Sequence, residues 1–267
     1  MKSVNQQNAP KTWDEFFVLC DKIQALGITP IAHSEVPWIV ATMFEAVLLG
    51  ICGATHYNKA FSQLDSNALS SSSTINALET FKRLKPYCNE DHVGREWNLA
   101  TADIINGRAA IQIMGDWVKG EFDEADQRAH NDYLFWLTPT QNGEYSFAAD
   151  TLTFFRQTDN KRLIAQNDFA DLLMQKETQI AYNKHKGSIP ARIDIDIKSL
   201  DAYGKSSAQA FATASKNSTL VPSWAHNMAV QDKLKKAWIA VIHDYWKNDN
   251  ISASKTATKL AELTRDL

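Results

Sequence analysis

The sequence predicts an α/β protein in which helices dominate, and three observations carry this. Apolar residues recur at helical spacing in segments whose ends are marked by capping residues, Gly or Pro. Short apolar runs (ITPIAHS, AAIQIM, DYLFWLTPT) alternate with those segments as strands do in mixed folds. The chain has 267 residues and 44% apolar content, enough to bury a sizeable core in one large or two modest units.

The elements follow in order. In KTWDEFFVLCDKIQALG, Thr12 is suited to cap a helix and Glu15 completes a capping box. Phe16, Leu19, Ile23 and Leu26 form its apolar stripe, and Gly27 and Pro30 stop it. ITPIAHS is a short buried strand, and SEVPWIVATMFEAVLLGICG is a second helix with Pro37 near its start. The serines at 70–73 form a loop and cap for a helix through STINALETFKRLKPYC. WNLATADIINGRAAIQIMGD gives a short helix, a turn at Asn106-Gly107 and a strand ending at Gly115, and GDWVKGEF starts the next helical turn. DYLFWLTPT is another strand, and FAADTLTFFRQ is a strand-like run interrupted by Asp150. IAQNDFADLLMQKETQIAYNK is helical and HKGSIPAR is turn-rich. From Lys198 onward the pattern is helical, with one break at STLVPSWAH.

Composition removes several function classes. A net charge of -3 with both signs interspersed leaves no basic footprint for nucleic acid. No run of about 18 apolar residues predicts a membrane insertion. Cys20, Cys52 and Cys88 have neither CxxC spacing nor a nearby histidine pattern, which argues against zinc. Cys20 falls within an amphipathic helix as a small apolar residue, and one disulfide plus a free thiol stays open. The N-terminus as written has no apolar leader core and no cleavage site. No GxSxG, HExxH, phosphate-loop or dinucleotide fingerprint indicates an enzyme, and no cofactor is implied. A glycosidase would need two carboxyl groups facing one bond; Asp116, Glu121 and Asp150 are the candidates.

IMGDWVKGEF raises a sharper question. It sets the indole of Trp117 where the chain turns, between Gly115 and Gly120. The position lies just beyond a strand's carboxyl end, where ligand sites of open α/β sheets gather. Trp117 is read as a presented platform, against a packed tryptophan closing the strand. Asp150 interrupts an apolar run and reads as a hydrogen-bond acceptor, against a strand-end acid facing water. Asp116 and Lys119 flank Trp117 and are expected to fix its loop by ion pairing.

PKTWDEF, PIAHSEVPWIVATMFE, REWNLATADIINGRAAIQIMGDWVKGEF, the acid of FAADTLTFF, NKHKGSIPAR and LVPSWAHNMAV occur in one order from about Pro10 to the C-terminus. Together they resemble the extracellular solute-binding proteins of sugar ABC transporters, with the proteobacterial glucose/aldose-binding branch the nearest. The resemblance implies a type II periplasmic binding protein-like fold, without catalysis. The chain would be N-terminally truncated: residues 10–148 and 197–267 form the C-terminal lobe, and 149–196 are a return segment of a largely absent N-terminal lobe. The return segment would then expose apolar faces, so self-association or a separate N-terminal lobe is expected. The implied ligand is a monosaccharide, glucose or a related aldose, and the implied partners are transporter permease subunits. The family is periplasmic.

The resemblance carries four sugar contacts onto this chain. Trp117 would stack on the pyranose, and Asp150 would accept from its hydroxyls. Lys186 would donate to them, against a solvated loop lysine, and His226 would act as a neutral hydrogen-bonding group, against a capping or surface histidine. Trp38 is a weaker candidate for lining the cleft, and Glu35 weaker still. Trp224 and Asn227 depart from the branch's pattern and put the local pocket shape in question. Trp13, Trp97, Trp238 and Trp246 are read as packing residues. A remnant without ligand remains the other reading.

Overall fold

The computed structural model describes Gln6, residues 8–91 and residues 93–265. Residues 1–5, on which the leader reading rests, lie outside them.

Helix α1 (Trp13–Gln24) begins as predicted: the Thr12 hydroxyl accepts from the Glu15 N–H at 3.1 Å. The Glu15 carboxylate reaches back to the Lys11 N–H at 2.7 Å rather than to that of Thr12. Phe16, Leu19 and Ile23 are buried, but Leu26 is 51% exposed. It lies past the last helical turn, where Gly27 takes the left-handed conformation (φ 74°).

Strand β1 (Thr29–Ile31) leads to α2 (Pro37–Tyr57), which starts at Pro37 and runs past the predicted end. A break at Gly53 (φ 73°, ψ 169°) separates its last turn, and a π-helical turn, Asn58–Ser62, follows. Next come α3 (Ser66–Leu69) and α4 (Ser72–Lys82). Helix α4 ends earlier than predicted, because Pro86 sets a 3-10 turn at Lys85–Tyr87. Helix α5 (Trp97–Ile105), β2 (Ala109–Ile111) and α6 (Val118–Glu124) complete the first part, with Gly107 at φ 70° making the predicted turn. The predicted AAIQIM strand pairs only to Ile111, because its parallel partner β1 has just three residues.

Strand β3 (Tyr145–Phe147) pairs in parallel with β4 (Leu220–Pro222), Phe147 facing Pro222. The ladder ends one bond later, where the Ser223 N–H donates to the Phe147 carbonyl at 2.9 Å. The predicted FAADTLTFFRQ strand is therefore confined to its start, and residues 148–158 have no regular structure. DYLFWLTPT forms no strand either; near its end the Pro139 carbonyl lies against α2, where a side chain on Gly50 would be. The helical run predicted after Ile164 is two helices, α7 (Asn160–Met174) and α8 (Lys176–Lys186), broken where Gln175 turns extended. Helices α9 (Ala202–Lys216), α10 (Asp232–Lys247) and α11 (Ala253–Arg265) finish the chain.

The core surrounds α2, packed by α4 and α10, with α11 closing against α3, α4 and α10. By length and apolar content Pro37–Ser62 is enough to cross a membrane, a stretch that the sequence reading did not single out. Here it is the central core helix, mostly buried by protein. Helix α7 is the opposite: none of its residues is buried, and Ile164, Phe169 and Met174 face outward beside exposed Leu152 and Phe155.

Candidate functional site

Three rings meet where α2 begins, α6 begins and β4 ends. Trp38 stands in the first turn of α2, after Pro37 has fixed the entry angle. Trp117 is the residue from which α6 starts. His226 follows β4 in the loop SWAHN. Ring centroids are 6.2 Å apart for Trp38 and Trp117, 6.0 Å for Trp38 and His226, and 5.3 Å for Trp117 and His226, the last two edge-on. All three rings are only partly buried.

Gly115 decides the placement of Trp117. The indole folds back over it so closely that a Cβ there would lie 2.2 Å from Cζ3 and 2.3 Å from Cη2. The glycine that ends the apolar run thus lets the ring lie flat against the backbone.

His226 is held from two sides. Its Nε2 is 3.0 Å from the Thr42 hydroxyl, one turn along α2 from Trp38, and its backbone N–H donates to the Ser223 hydroxyl at 3.1 Å. Burial, with the charge of Lys235, pushes its pKa down to about 4 against the pull of Asp150, so the ring is neutral near pH 7. The His226 loop is in turn tied to the core. The buried Glu45 carboxylate accepts from the Ser223 hydroxyl and the Trp224 N–H, both at 2.7 Å, and from the Tyr57 hydroxyl. Tyr57 also lies 2.9 Å from the Pro222 carbonyl. Burial raises the Glu45 carboxyl above its ordinary value, opposed by those hydrogen bonds.

A charged pair completes the site. Lys186 ends α8, and its ammonium pairs with the Asp150 carboxylate in the segment after β3. Gly187 takes φ 90° and lies against the Asp116 carbonyl, 2.6 Å from where a Cβ would be, which seats Lys186 beside the start of α6. The Asp150 side chain is 76% exposed, so this pair adds little stability and leaves oxygens free for other donors. Burial raises Asp116 to about 6 while Lys186 pulls it down.

The structure thus gathers Trp38, Trp117 and His226 in one corner, with Asp150 and Lys186 joined close enough for the Asp150 charge to act on His226 and Asp116. Trp38 meets both other rings, more than its weaker standing in the sequence suggested. Trp224 does not shape the pocket; it is fully buried, stacked on Phe61 at 5.6 Å, while Asn227 is exposed at φ 65°. Lys119 does not pair with Asp116; buried, it bonds Asp123 and Asp201 and the Lys184 carbonyl. Trp13, Trp238 and Trp246 are buried, and Trp97 is partly so. Glu45 and Thr42 were missed, although an acid in the middle of an apolar helix is a signal of a buried network.

The three cysteines are free thiols, and burial raises Cys20 and Cys52 to about 12 and Cys88 further, which keeps them unreactive. Among the described residues no cluster of three or more His, Cys, Asp or Glu is placed to hold a metal ion.

Comparison with known proteins agrees with this architecture. The profile of the family described as bacterial extracellular solute-binding protein matches residues 1–212. A probable sugar-binding periplasmic protein of Brucella suis biovar 1 (strain 1330) is 38% identical over 87% of the chain, and one of Rhizobium meliloti (strain 1021) is 36% identical over 94%. The chain spans 55% and 60% of those relatives' lengths. Among solved structures, a chitin oligosaccharide binding protein superposes with a TM-score of 0.75 at 16% identity, covering 99% of this chain and 66% of the other; this likeness shows the fold. The chain belongs to the bacterial extracellular solute-binding protein family.

Proposed function

We propose that this chain supplies one wall of a monosaccharide site in the binding component of a periplasmic ABC sugar importer. The observation that carries the reading is the corner of Trp38, Trp117 and His226 beside the Asp150–Lys186 pair. The open face of a half-buried indole covers the C–H face of a pyranose, and a neutral imidazole, a carboxylate and an ammonium suit its hydroxyls. The names of the relatives, probable sugar-binding periplasmic proteins, support the same ligand class. Glucose or a related aldose is the ligand assigned here by resemblance.

The outward apolar residues of 152–174 support a return segment at 149–196 that packs against a further lobe. By this reading the complete importer component closes two lobes on the sugar and delivers it to permease subunits. With one wall only, affinity for glucose is on the order of 1 mM, about −4 kcal/mol. Calorimetric titration of the chain with glucose tests this. Weak saturable heat, lost in Trp117→Ala, is expected; micromolar affinity, or heat unchanged in the variant, contradicts it. Sedimentation of the same sample should show concentration-dependent association through the exposed apolar face, and a strict monomer at high concentration would remove that part of the reading.

Asp116, raised to about 6, has the kind of raised carboxyl that a glycosidase acid needs. Asp150 is already paired with Lys186 and suits a hydroxyl contact better than a nucleophile. No turnover of a coloured glycoside is expected; turnover lost in Asp116→Asn and Asp150→Asn would favour the enzyme instead.

A further inference from the structure

The Thr42 hydroxyl has one proton and two neighbours. Its oxygen is 2.9 Å from the Trp38 carbonyl and 3.0 Å from His226 Nε2. A carbonyl only accepts, so Thr42 must donate to Trp38 if that bond is made, as threonines within helices commonly do. The bond to His226 can then form only with Nε2–H donating to the Thr42 oxygen. The reverse direction sacrifices one of the two bonds. Only a ring protonated at Nε2 satisfies the whole relay from His226 through Thr42 to the first turn of α2.

A neutral imidazole carries a single proton, and His226 is neutral for the reasons given above: burial and Lys235 outweigh Asp150. With that proton on Nε2, Nδ1 keeps its lone pair. Nδ1 makes no hydrogen bond among the described residues, nor is it among the fully buried unpaired atoms, so solvent reaches it. The ring edge lies between Trp38 and Trp117, and the backbone behind it is fixed by Ser223 and Glu45. The open atom of this corner is therefore an acceptor in a fixed place.

We infer that Thr42 is a positioning residue that locks the Nε2–H tautomer of His226, so that Nδ1 selects a hydroxyl donor on the ligand and disfavours groups that can only accept. It rests on the sugar reading for the ligand but not for the tautomer. In that site a neutral aldose offers the required O–H. A uronate carboxylate or a methyl ether at the same ring position offers only lone pairs, and its acceptor would face another acceptor.

Long-range proton–nitrogen NMR correlation of His226 near pH 7, without ligand, reads the tautomer. The expected spectrum has a protonated-type Nε2 and an unprotonated-type Nδ1. Thr42→Ser should preserve it. Thr42→Val, nearly isosteric, should shift the ring toward Nδ1–H and weaken glucose binding by about tenfold. Adding glucose should move the wild-type Nδ1 resonance toward its hydrogen-bonded value, and the singly O-methylated glucose blocked at the contacted position should not. A wild-type Nδ1–H ring, or an unchanged spectrum in Thr42→Val, overturns the inference. If glucose shifts the Trp117 indole but leaves Nδ1 unmoved, donor selection is wrong while the sugar reading stands. If the tautomer is as stated and no tryptophan responds to glucose, the sugar reading fails, and donor selection with it, while the Thr42 lock stands.

Discussion

The indole of Trp117 rests on Gly115, where a Cβ would overlap its six-membered ring. Gly115→Ala therefore cannot keep the ring in place: the far end of a side chain must move, and here that side chain is the proposed platform. The variant should fold, because the clash is relieved by swinging one partly buried ring outward. It should lose glucose binding to the same extent as Trp117→Ala and shift the tryptophan emission to the red. Full retention of glucose binding would show that the flat placement of Trp117 does not matter. At this scale the sequence was readable where a residue type was odd for its setting. A tryptophan between glycines and an aspartate inside an apolar run both belong to the candidate corner. Lys119 was misread although its partner Asp123 stands at i,i+4, a local pattern; only its second partner, Asp201, is remote in sequence. Thr42 was unreadable because its role depends on His226, brought to α2 from the far end of the chain.

Helix α2 carries the largest share of both core and site. One face packs Phe44, Val47 and Leu48 into the core, and Trp38 and Thr42 reach the aromatic corner. Glu45 anchors the His226 loop from the same helix. Its raised pKa has a signed consequence. The folded state holds the Glu45 proton more tightly than the unfolded chain does. Its contribution is complete below the ordinary value of 4.5 and is lost as pH rises through the raised folded value. Within that window each pH unit costs up to about 1.4 kcal/mol. Asp116 acts in the same sense between 3.8 and about 6, so the wild type alone does not isolate Glu45. Melting curves of wild type and Glu45→Gln across pH do: the variant should show a shallower decline, and parallel curves would contradict this. Helices were the legible elements, since caps, stripes and stop residues are local; α1 and α2 begin where Thr12 and Pro37 mark them. Strands were not, because three-residue strands last only as long as their partners, and DYLFWLTPT has the composition of a strand but pairs only through a single bridge of Tyr133 to Ala129.

At the scale of the whole molecule, the chain combines a well-packed body around α2 with an α7 that buries none of its residues. Periodicity does not report this contrast, because an apolar stripe reads the same whether or not anything covers it. The body fixes the corner rings, and 152–174 carries the outward apolar face. The central claim is that the corner of Trp38 and Trp117 is where sugar binds. Among eight tryptophans, each with one indole N–H, the two in the corner can be followed individually. The most direct measurement is a nitrogen-edited spectrum of the indole N–H groups during titration with glucose to about 10 mM, about ten times the proposed dissociation constant. Trp38 and Trp117 should shift together along one saturation curve while buried Trp13, Trp224, Trp238 and Trp246 stay still. No shift at saturating sugar, or shifts confined to other tryptophans, would contradict it.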